Sequence, residues 1–138
     1  MIDDLIAFLH ARLDEGEAAA RVATPGPWRH DPRKHHHIVG TALFEEAVFT
    51  GPSGDDAICV AGTGETDDAQ SMRDAAHIAR HDPPRVLAEI EAKRAIIDEA
   101  LSIWNSDADG IFGFGESILR HLALPYADHP GYKEAWRP

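Results

Sequence analysis

Apolar residues recur every three or four positions at the start of the chain, the spacing of one face of an α-helix. They are Ile2, Leu5, Ile6, Leu9 and Leu13. Asp3 and Asp4 precede most of this stripe, and carboxylates are favoured in the first turn of a helix. The sequence Thr-Pro-Gly-Pro at residues 24–27 cannot continue a helix, so the pattern predicts a first helix that ends near residue 22.

Between residues 28 and 64 the apolar residues come in short runs that are rich in β-forming types. The runs lie at residues 38–39, 42–44, 47–49 and 58–60, with glycines between them. This pattern predicts three or four antiparallel strands in a small sheet. Cys59 is the only cysteine and lies in the last run, so we expect a small buried core residue rather than a nucleophile.

Helical spacing returns after residue 66. An aspartate at position 67 or 68 is a suitable cap for a helix that we expect to end near residue 81. An Asp-Pro pair at residues 82–83 begins a longer helix to about Trp104, because proline is favoured at the first helical position. A last helix covers about residues 116–122.

The order of these elements predicts an α+β fold, with a small antiparallel sheet of three or four strands and three to four helices packed on one face. The length suits a single domain at residues 1–138. We expect this domain to divide into a helix at 1–22, a sheet at 28–64, helices at 67–124 and a turn-rich tail at 125–138. Trp28 and Trp136 lie beside prolines in turns, and we expect both to be buried anchors.

The chain is acidic, with 24 Asp and Glu residues against 13 Lys and Arg and a net charge of −11. Broad contact with nucleic acid or anionic lipid requires a basic surface, so we expect neither direct nucleic-acid binding nor a membrane partner. We expect a protein partner or self-association instead. No leader or membrane-spanning run is visible, which indicates a cytoplasmic protein.

A polar stripe formed by Asp74, His77 and His81 follows the helix predicted before residue 82. At about 100° per residue these side chains fall within roughly 60° of one another around the axis. Two histidines four residues apart can bind one divalent transition metal such as zinc, with Asp74 as a third ligand or as an acceptor that orients His77. The alternative is a solvated stripe without a metal.

Three adjacent histidines at positions 35–37 form a second candidate site. In a strand, His35 and His37 point to the same side and can bind a metal together. An ordinary exposed loop has the same composition, since Arg33 and Lys34 precede the run. The sequence does not decide whether this cluster lies near the helical histidines.

Residues 105–116 approach the pattern of a twelve-residue calcium loop. Asn105, Asp107 and Asp109 stand at positions one, three and five, and Glu116 stands at position twelve. Asparagine at the first position removes a charge, so the sequence favours a transition metal over calcium. Asp, Asn and Gly are also common in turns, and a simple connector between helices is the alternative.

Three segments carry a family resemblance: Ala-Thr-Pro-Gly-Pro-Trp at 23–28, Asp-Ala-Ala-His-Ile-Ala-Arg-His-Asp-Pro at 74–83, and the ending at 122–138. Together they resemble an uncharacterised family of small actinobacterial proteins that also occurs in actinobacterial phages and mobile elements. The first two segments are loosely similar to lambda-type phage early-region accessory proteins. The resemblance implies a host or phage context and no particular reaction.

No complete catalytic or cofactor-binding motif is present, so no catalytic residue is assigned. The leading hypothesis is a non-enzymatic binding or regulatory accessory protein with a polar His/Asp cleft that holds a divalent transition metal. One alternative is a small metal-dependent hydrolase that uses the same residues. Another is an acidic inhibitor of a nucleic-acid-binding protein.

Overall fold

The computed structural model describes residues 2–106 and 112–138. Within these residues the helices are α1 (Ile2–Val22), α2 (Ala69–Ala79), α3 (Pro83–Asn105) and α4 (Phe112–Ala123). The strands are β1 (His36–His37), β2 (Phe44–Thr50) and β3 (Ile58–Glu65). Short 3-10 helices cover Gly54–Asp56, Leu124–Tyr126 and Glu134–Trp136. The predicted α+β class is confirmed.

Contacts between Cα atoms divide the chain into two compact units. The first unit contains residues 1–18 and 88–138, which include most of α1, most of α3, and α4. The second unit contains residues 19–87, and therefore the whole sheet and α2. No helix among the described residues combines the length and apolar character needed to cross a membrane.

The sheet of the second unit has the order β1-β2-β3, and both pairs of strands are antiparallel. The central strand, β2, is buried from Glu46 to Thr50. Helix α2 packs against β2 and β3, and it buries Ser71 and Ala75. This arrangement explains why β2 is the most buried of the strands: it has a strand on each side and a helix packed against it.

The predicted runs at residues 38–39 and 42–43 are not strands in the structure. They form the turn between β1 and β2, in which the Ile38 N–H donates to the Leu43 carbonyl and the Thr41 N–H donates to the Ile38 carbonyl. Gly40 takes a positive φ of 81° at the centre of this turn. The hydrogen bonds of this turn are made within the turn itself and need no neighbouring strand. Val39 lies in the turn and is 87% exposed.

Both predicted aspartate caps are present. Asp68 accepts hydrogen bonds from the backbone N–H and the hydroxyl of Ser71, at 2.9 and 3.0 Å, and the backbone bond is the main reason that the pKa of Asp68 is lowered. Asp82 accepts from the backbone N–H groups of Arg85 and Trp28, at 3.0 and 3.1 Å. The start of α3 and the turn before β1 are therefore tied together within the second unit.

The core of the first unit contains the apolar stripe of α1 and an aromatic cluster. Leu5, Leu9 and Leu13 are almost fully buried, as the helical spacing predicts. Trp136 is 5% exposed, and its ring lies 5.1 Å from that of Phe8, which confirms the prediction that Trp136 is a buried anchor. The C-terminal aromatic residues thus contribute to this core.

Two burial predictions were wrong. Trp28 is only half-buried, because its indole N–H donates at 2.8 Å to the Thr24 carbonyl of its own turn and the ring stays at the surface. Cys59 is also half-buried, because it lies on an edge strand of the sheet. Burial and the nearby charge of Glu45 raise the pKa of the Cys59 thiol, in that order of size.

Candidate metal centre

A fully buried carboxylate, Glu46, lies on the central strand β2. Its strand partner is Gly64, and a bulge follows in the pairing of β2 with β3. The backbone N–H of Asp67 donates to Glu46 Oε1 at 3.3 Å. Glu46 Oε2 has no hydrogen-bond partner within the described residues. A buried carboxylate oxygen without a hydrogen-bond partner lowers the stability of the fold unless a proton or a cation compensates its charge.

His30 points at this carboxylate from the segment before β1. Its position is fixed because the neighbouring Arg29 forms a two-hydrogen-bond bridge with Phe49 of β2, with both N–H···O distances at 2.8 Å. His30 Nε2 lies 3.5 Å from Glu46 Oε2, and the His30 side chain is 10% exposed. His30 Nε2 also lacks a hydrogen-bond partner within the described part of the chain.

His35 approaches the other oxygen of the same carboxylate. Its Nε2 atom lies 3.6 Å from Glu46 Oε1 and 3.6 Å from Asp67 Oδ1, and it too has no hydrogen-bond partner among the described residues. The adjacent residue, His36, pairs with Glu45 in the sheet, which fixes where the segment meets β2. His35 is therefore held beside the carboxylate by the hairpin.

The connection between the two histidines is an ordered turn. The Lys34 N–H donates to the Asp31 carbonyl at 3.0 Å, and the Arg33 N–H donates to the Asp31 carboxylate at 2.9 Å. The second hydrogen bond is the main reason that the pKa of Asp31 is lowered. Local hydrogen bonds thus position His30 and His35 relative to each other before any ligand is considered.

Asp67 completes the group from the turn between β3 and α2. It has a positive φ of 60°, which is uncommon for a residue with a side chain. Its side chain is 78% exposed, whereas that of Glu46 is fully buried. One ligand atom from each of His35, Glu46 and Asp67 lies within 4.8 Å of the others. The group is therefore closed on the sheet side and open to solvent at Asp67.

The distances in this group fit a shared cation better than direct hydrogen bonds. A charged imidazole–carboxylate hydrogen bond is about 2.7–2.9 Å long, and the observed separations are 3.5 and 3.6 Å. In a tetrahedral zinc site with bonds of about 2.0–2.2 Å, neighbouring ligand atoms lie about 3.4 Å apart. The His35 imidazole and the Glu46 and Asp67 carboxylates are close enough to hold one divalent transition metal, and His30 lies beside the other oxygen of Glu46.

His37 does not join His35 in this group. Its Nε2 atom lies 2.5 Å from the Thr41 carbonyl in the hairpin turn, and its ring lies 5.2 Å from that of Phe44. The reason is that β1 consists only of residues 36 and 37, so His35 is outside the regular strand in which alternate side chains share a side.

Asp74, His77 and His81 all lie on exposed positions of α2 or just after it. The Asp74 carboxylate accepts a hydrogen bond from Gln70 at 2.8 Å. The His81 ring donates through Nδ1 to the His77 carbonyl at 2.8 Å, and the two rings lie 4.6 Å apart. Among the described residues, the three-ligand group includes none of these side chains. Metal binding by them stays a prediction.

The structure describes only the two ends of the calcium-like pattern at residues 105–116. Asn105 is the last residue of α3 and is exposed. Asp107 and Asp109 lie outside the described residues. Glu116 lies in α4, where its Oε1 atom accepts hydrogen bonds from Arg120 at 2.9 and 2.5 Å. The Glu116 carboxylate is therefore engaged in an ion pair within the helix.

Sequence reasoning found His35 and missed its three partners. The signal for Glu46 was its position directly before the apolar run at residues 47–49. A charged residue in a buried strand is rare unless it has a partner. Neither His30 nor Asp67 has a comparable signal. His30 is close to the site because the neighbouring Arg29 pairs with Phe49 of β2, and Asp67 is close because the turn after β3 passes beside Glu46.

Comparison with known proteins gives a family and no characterised relative. No curated protein and no solved structure shows significant similarity to this chain. A family model described as a family of unknown function (DUF6221) matches residues 2–138. The resemblance to an uncharacterised family is confirmed at this level, and the chain belongs to this family of unknown function.

Proposed function

We propose that the protein is a binding protein for a divalent transition metal, zinc in the first instance, with His30, His35, Glu46 and Asp67 as ligands. One observation carries the proposal: three buried ligand atoms at the Glu46 carboxylate have no hydrogen-bond partner among the described residues. They are His30 Nε2, His35 Nε2 and Glu46 Oε2. Buried polar groups in folded proteins are almost always paired, and a metal bound at this carboxylate would supply the missing partner.

The ligand types support zinc over calcium or magnesium. Imidazole nitrogen is a good ligand for zinc, copper, nickel and iron, whereas calcium and magnesium prefer sites made of oxygen atoms. The separations of 3.5 Å for His30–Glu46 and 3.6 Å for His35–Glu46 and His35–Asp67 are also close to the spacing of neighbouring ligand atoms in a tetrahedral zinc site. The proposed site replaces the pair of His77 and His81 as the leading position for the transition metal.

A binding or regulatory role follows from the number of ligands. If Asp67 binds the metal, four protein groups fill a tetrahedral shell and leave no position for a reacting water. The metal then joins the segment before β1 to the central strand and to the turn before α2. We place this role in an accessory protein of the actinobacterial or phage context that the sequence resembles.

The exposure of Asp67 favours a second candidate, a metal-dependent hydrolase. With only His30, His35 and Glu46 as ligands, a solvent water can take the fourth position, as in zinc enzymes with a two-histidine, one-glutamate site. Asp67, 78% exposed, would then be the carboxylate next to that water. The two candidates differ in what Asp67 touches, so a single substitution separates them.

The binding proposal is tested by metal content and affinity. The untagged protein is stripped with a chelator, dialysed against zinc and analysed by mass spectrometry of the elements. We expect roughly one equivalent of zinc per chain, and losses in affinity of more than about tenfold in Glu46→Gln and His30→Ala. His37→Ala is the matched control, since this histidine lies two residues from His35 but outside the group. Less than a tenth of an equivalent in the wild-type protein would refute the proposal.

Cobalt substitution of the Asp67→Asn variant distinguishes binder from hydrolase. In the binding protein, loss of Asp67 lowers affinity and shifts the visible bands of the cobalt site, because a water replaces a carboxylate ligand. In the hydrolase, the spectrum and affinity stay as in the wild type. An unchanged spectrum would therefore exclude the closed site with four protein ligands. It would remain compatible with a site formed by His30, His35 and Glu46 alone.

A further inference from the structure

A second, cationic cleft lies on α2 and the start of α3, within the second unit. Its volume is about 420 Å³, within the range of about 300–1,000 Å³ that is usual for small-ligand sites. Three arginines and two histidines line it: Arg73, His77, Arg80, His81 and Arg85. None of the four residues of the proposed metal centre takes part in this lining.

This concentration of positive charge is unusual for so acidic a chain. Most other arginines have acidic or carbonyl partners, as in the pairs Arg120–Glu116 and Arg94–Asp14. The side chains of Arg73 and Arg80, in contrast, make no hydrogen bond with another described residue. Guanidinium groups that share a cleft repel one another, and an anion in the cleft would remove that repulsion.

The acidic groups nearest in sequence are engaged elsewhere. Asp74 binds Gln70, and the Asp82 carboxylate accepts the N–H groups at the start of α3 and at Trp28. Asp68 caps α2 at the end opposite His81, although its charge does interact with Arg73. None of these carboxylates lines the cleft. Among the described residues, the lining of the cleft therefore consists of cationic, imidazole and alanine side chains and includes no carboxylate.

The helical spacing explains why these groups meet. Positions 77, 80 and 81 follow position 73 by four, seven and eight residues, so they lie on one side of α2 and its last turn. His81 donates through Nδ1 to a backbone carbonyl, which leaves its Nε2 atom available to donate when the ring is protonated. The two imidazole rings, 4.6 Å apart and tilted by 47° to each other, add aromatic surface that an organic group can contact.

We propose that this cleft binds a small phosphorylated molecule, with its phosphate between Arg73 and Arg80. Arginine is well suited to phosphate because its N–H groups match two oxygens at once. The volume leaves room for an organic part beside the phosphate. The same charges oppose a divalent cation at His77 and His81, so the cleft and the metal centre are separate sites for ligands of opposite charge.

Isothermal titration with adenosine monophosphate, inorganic phosphate and a short DNA duplex tests the proposal. We expect saturable binding of the mononucleotide, weaker binding of free phosphate, and a decrease of about tenfold or more in Arg80→Gln. Arg137→Gln is the matched control, because it removes the same charge from an exposed arginine of the first unit. The Glu46→Gln variant, tested without metal, should bind as the wild type does, which separates this site from any phosphate bound through zinc.

Three results would overturn the proposal. The first is no saturable mononucleotide binding at millimolar concentration in a wild-type protein whose circular dichroism shows it to be folded. The second is an equal loss of binding in Arg137→Gln and Arg80→Gln, which would indicate a general charge effect. The third is a duplex that binds more tightly than the mononucleotide and is displaced by it, which would assign the cleft to nucleic acid.

Discussion

Replacing Glu46 by Gln isolates the part of the stability that depends on metal. Glu46 is the carboxylate close to both histidines, at 3.5 and 3.6 Å, so its charge is the main attraction for a cation. Glutamine has the same shape and can still accept the Asp67 N–H through its amide oxygen. The substitution therefore removes charge while leaving the packing of β2 intact.

The expected size of the effect follows from binding linkage. At a free zinc concentration 100 times the dissociation constant, binding stabilises the folded wild-type protein by about 2.7 kcal/mol. If the substitution weakens binding about 100-fold, the same zinc concentration stabilises the variant by only about 0.4 kcal/mol. Urea unfolding with buffered zinc and with a chelator measures both values, and His37→Ala should retain the full wild-type gain.

The metal-free proteins provide the decisive comparison. With neutral histidines, the Glu46→Gln amide can donate to an imidazole nitrogen, and the variant should be at least as stable as the wild type. If the group is instead a buried ion pair of glutamate with a protonated histidine, removing the negative charge should cost about 3–5 kcal/mol. A large loss without metal, together with no zinc effect on the wild type, would refute the metal centre.

Three further predictions concern the fold. Trp136→Ala should lower the free energy of unfolding in urea by about 3–5 kcal/mol, because it removes a buried ring that packs on Phe8 and Tyr132. Trp28→Ala should cost less, since Trp28 is only half-buried, and equal losses would contradict this ranking. Gly115→Ala should cost about 1–3 kcal/mol, since its Cβ atom would lie 2.4 Å from a carbonyl oxygen of α3. Gly113→Ala, with open space around it, should instead be neutral or raise stability by up to about 1 kcal/mol in the same assay. At pH 8 a thiol reagent should modify Cys59 more slowly in the folded than in the urea-unfolded protein, because burial raises the pKa of this thiol. Equal rates would show that folding does not raise the pKa of Cys59.

The helices and their ends could be predicted because their causes are local. The three- and four-residue spacing of leucines placed the buried side of α1, and the Asp68 and Asp82 carboxylates bind backbone N–H groups within three residues. The strands were predicted less well. Ile38 and Val39 have the composition of a strand, but the register of β1 against β2 places them in a turn.

The candidate site could be predicted only in part because its geometry depends on pairing across the sheet. His35 stood out as one of three adjacent histidines. His30 becomes a neighbour of Glu46 through the backbone bridge between Arg29 and Phe49, and nothing in the local sequence specifies that bridge. The separation of His37 from His35 has the same origin, since a strand of two residues ends before the alternation can apply.

The four proposed ligands come from a short part of the chain, between residues 30 and 67. The entropy cost of closing a loop grows with its length, so these side chains can meet at a modest cost once the hairpin and β3 have paired. None of them belongs to α3 or α4, which are made later on the ribosome. A nascent chain that has emerged through α2 therefore already carries every proposed ligand, and metal capture can precede emergence of the C-terminal helices from the ribosome.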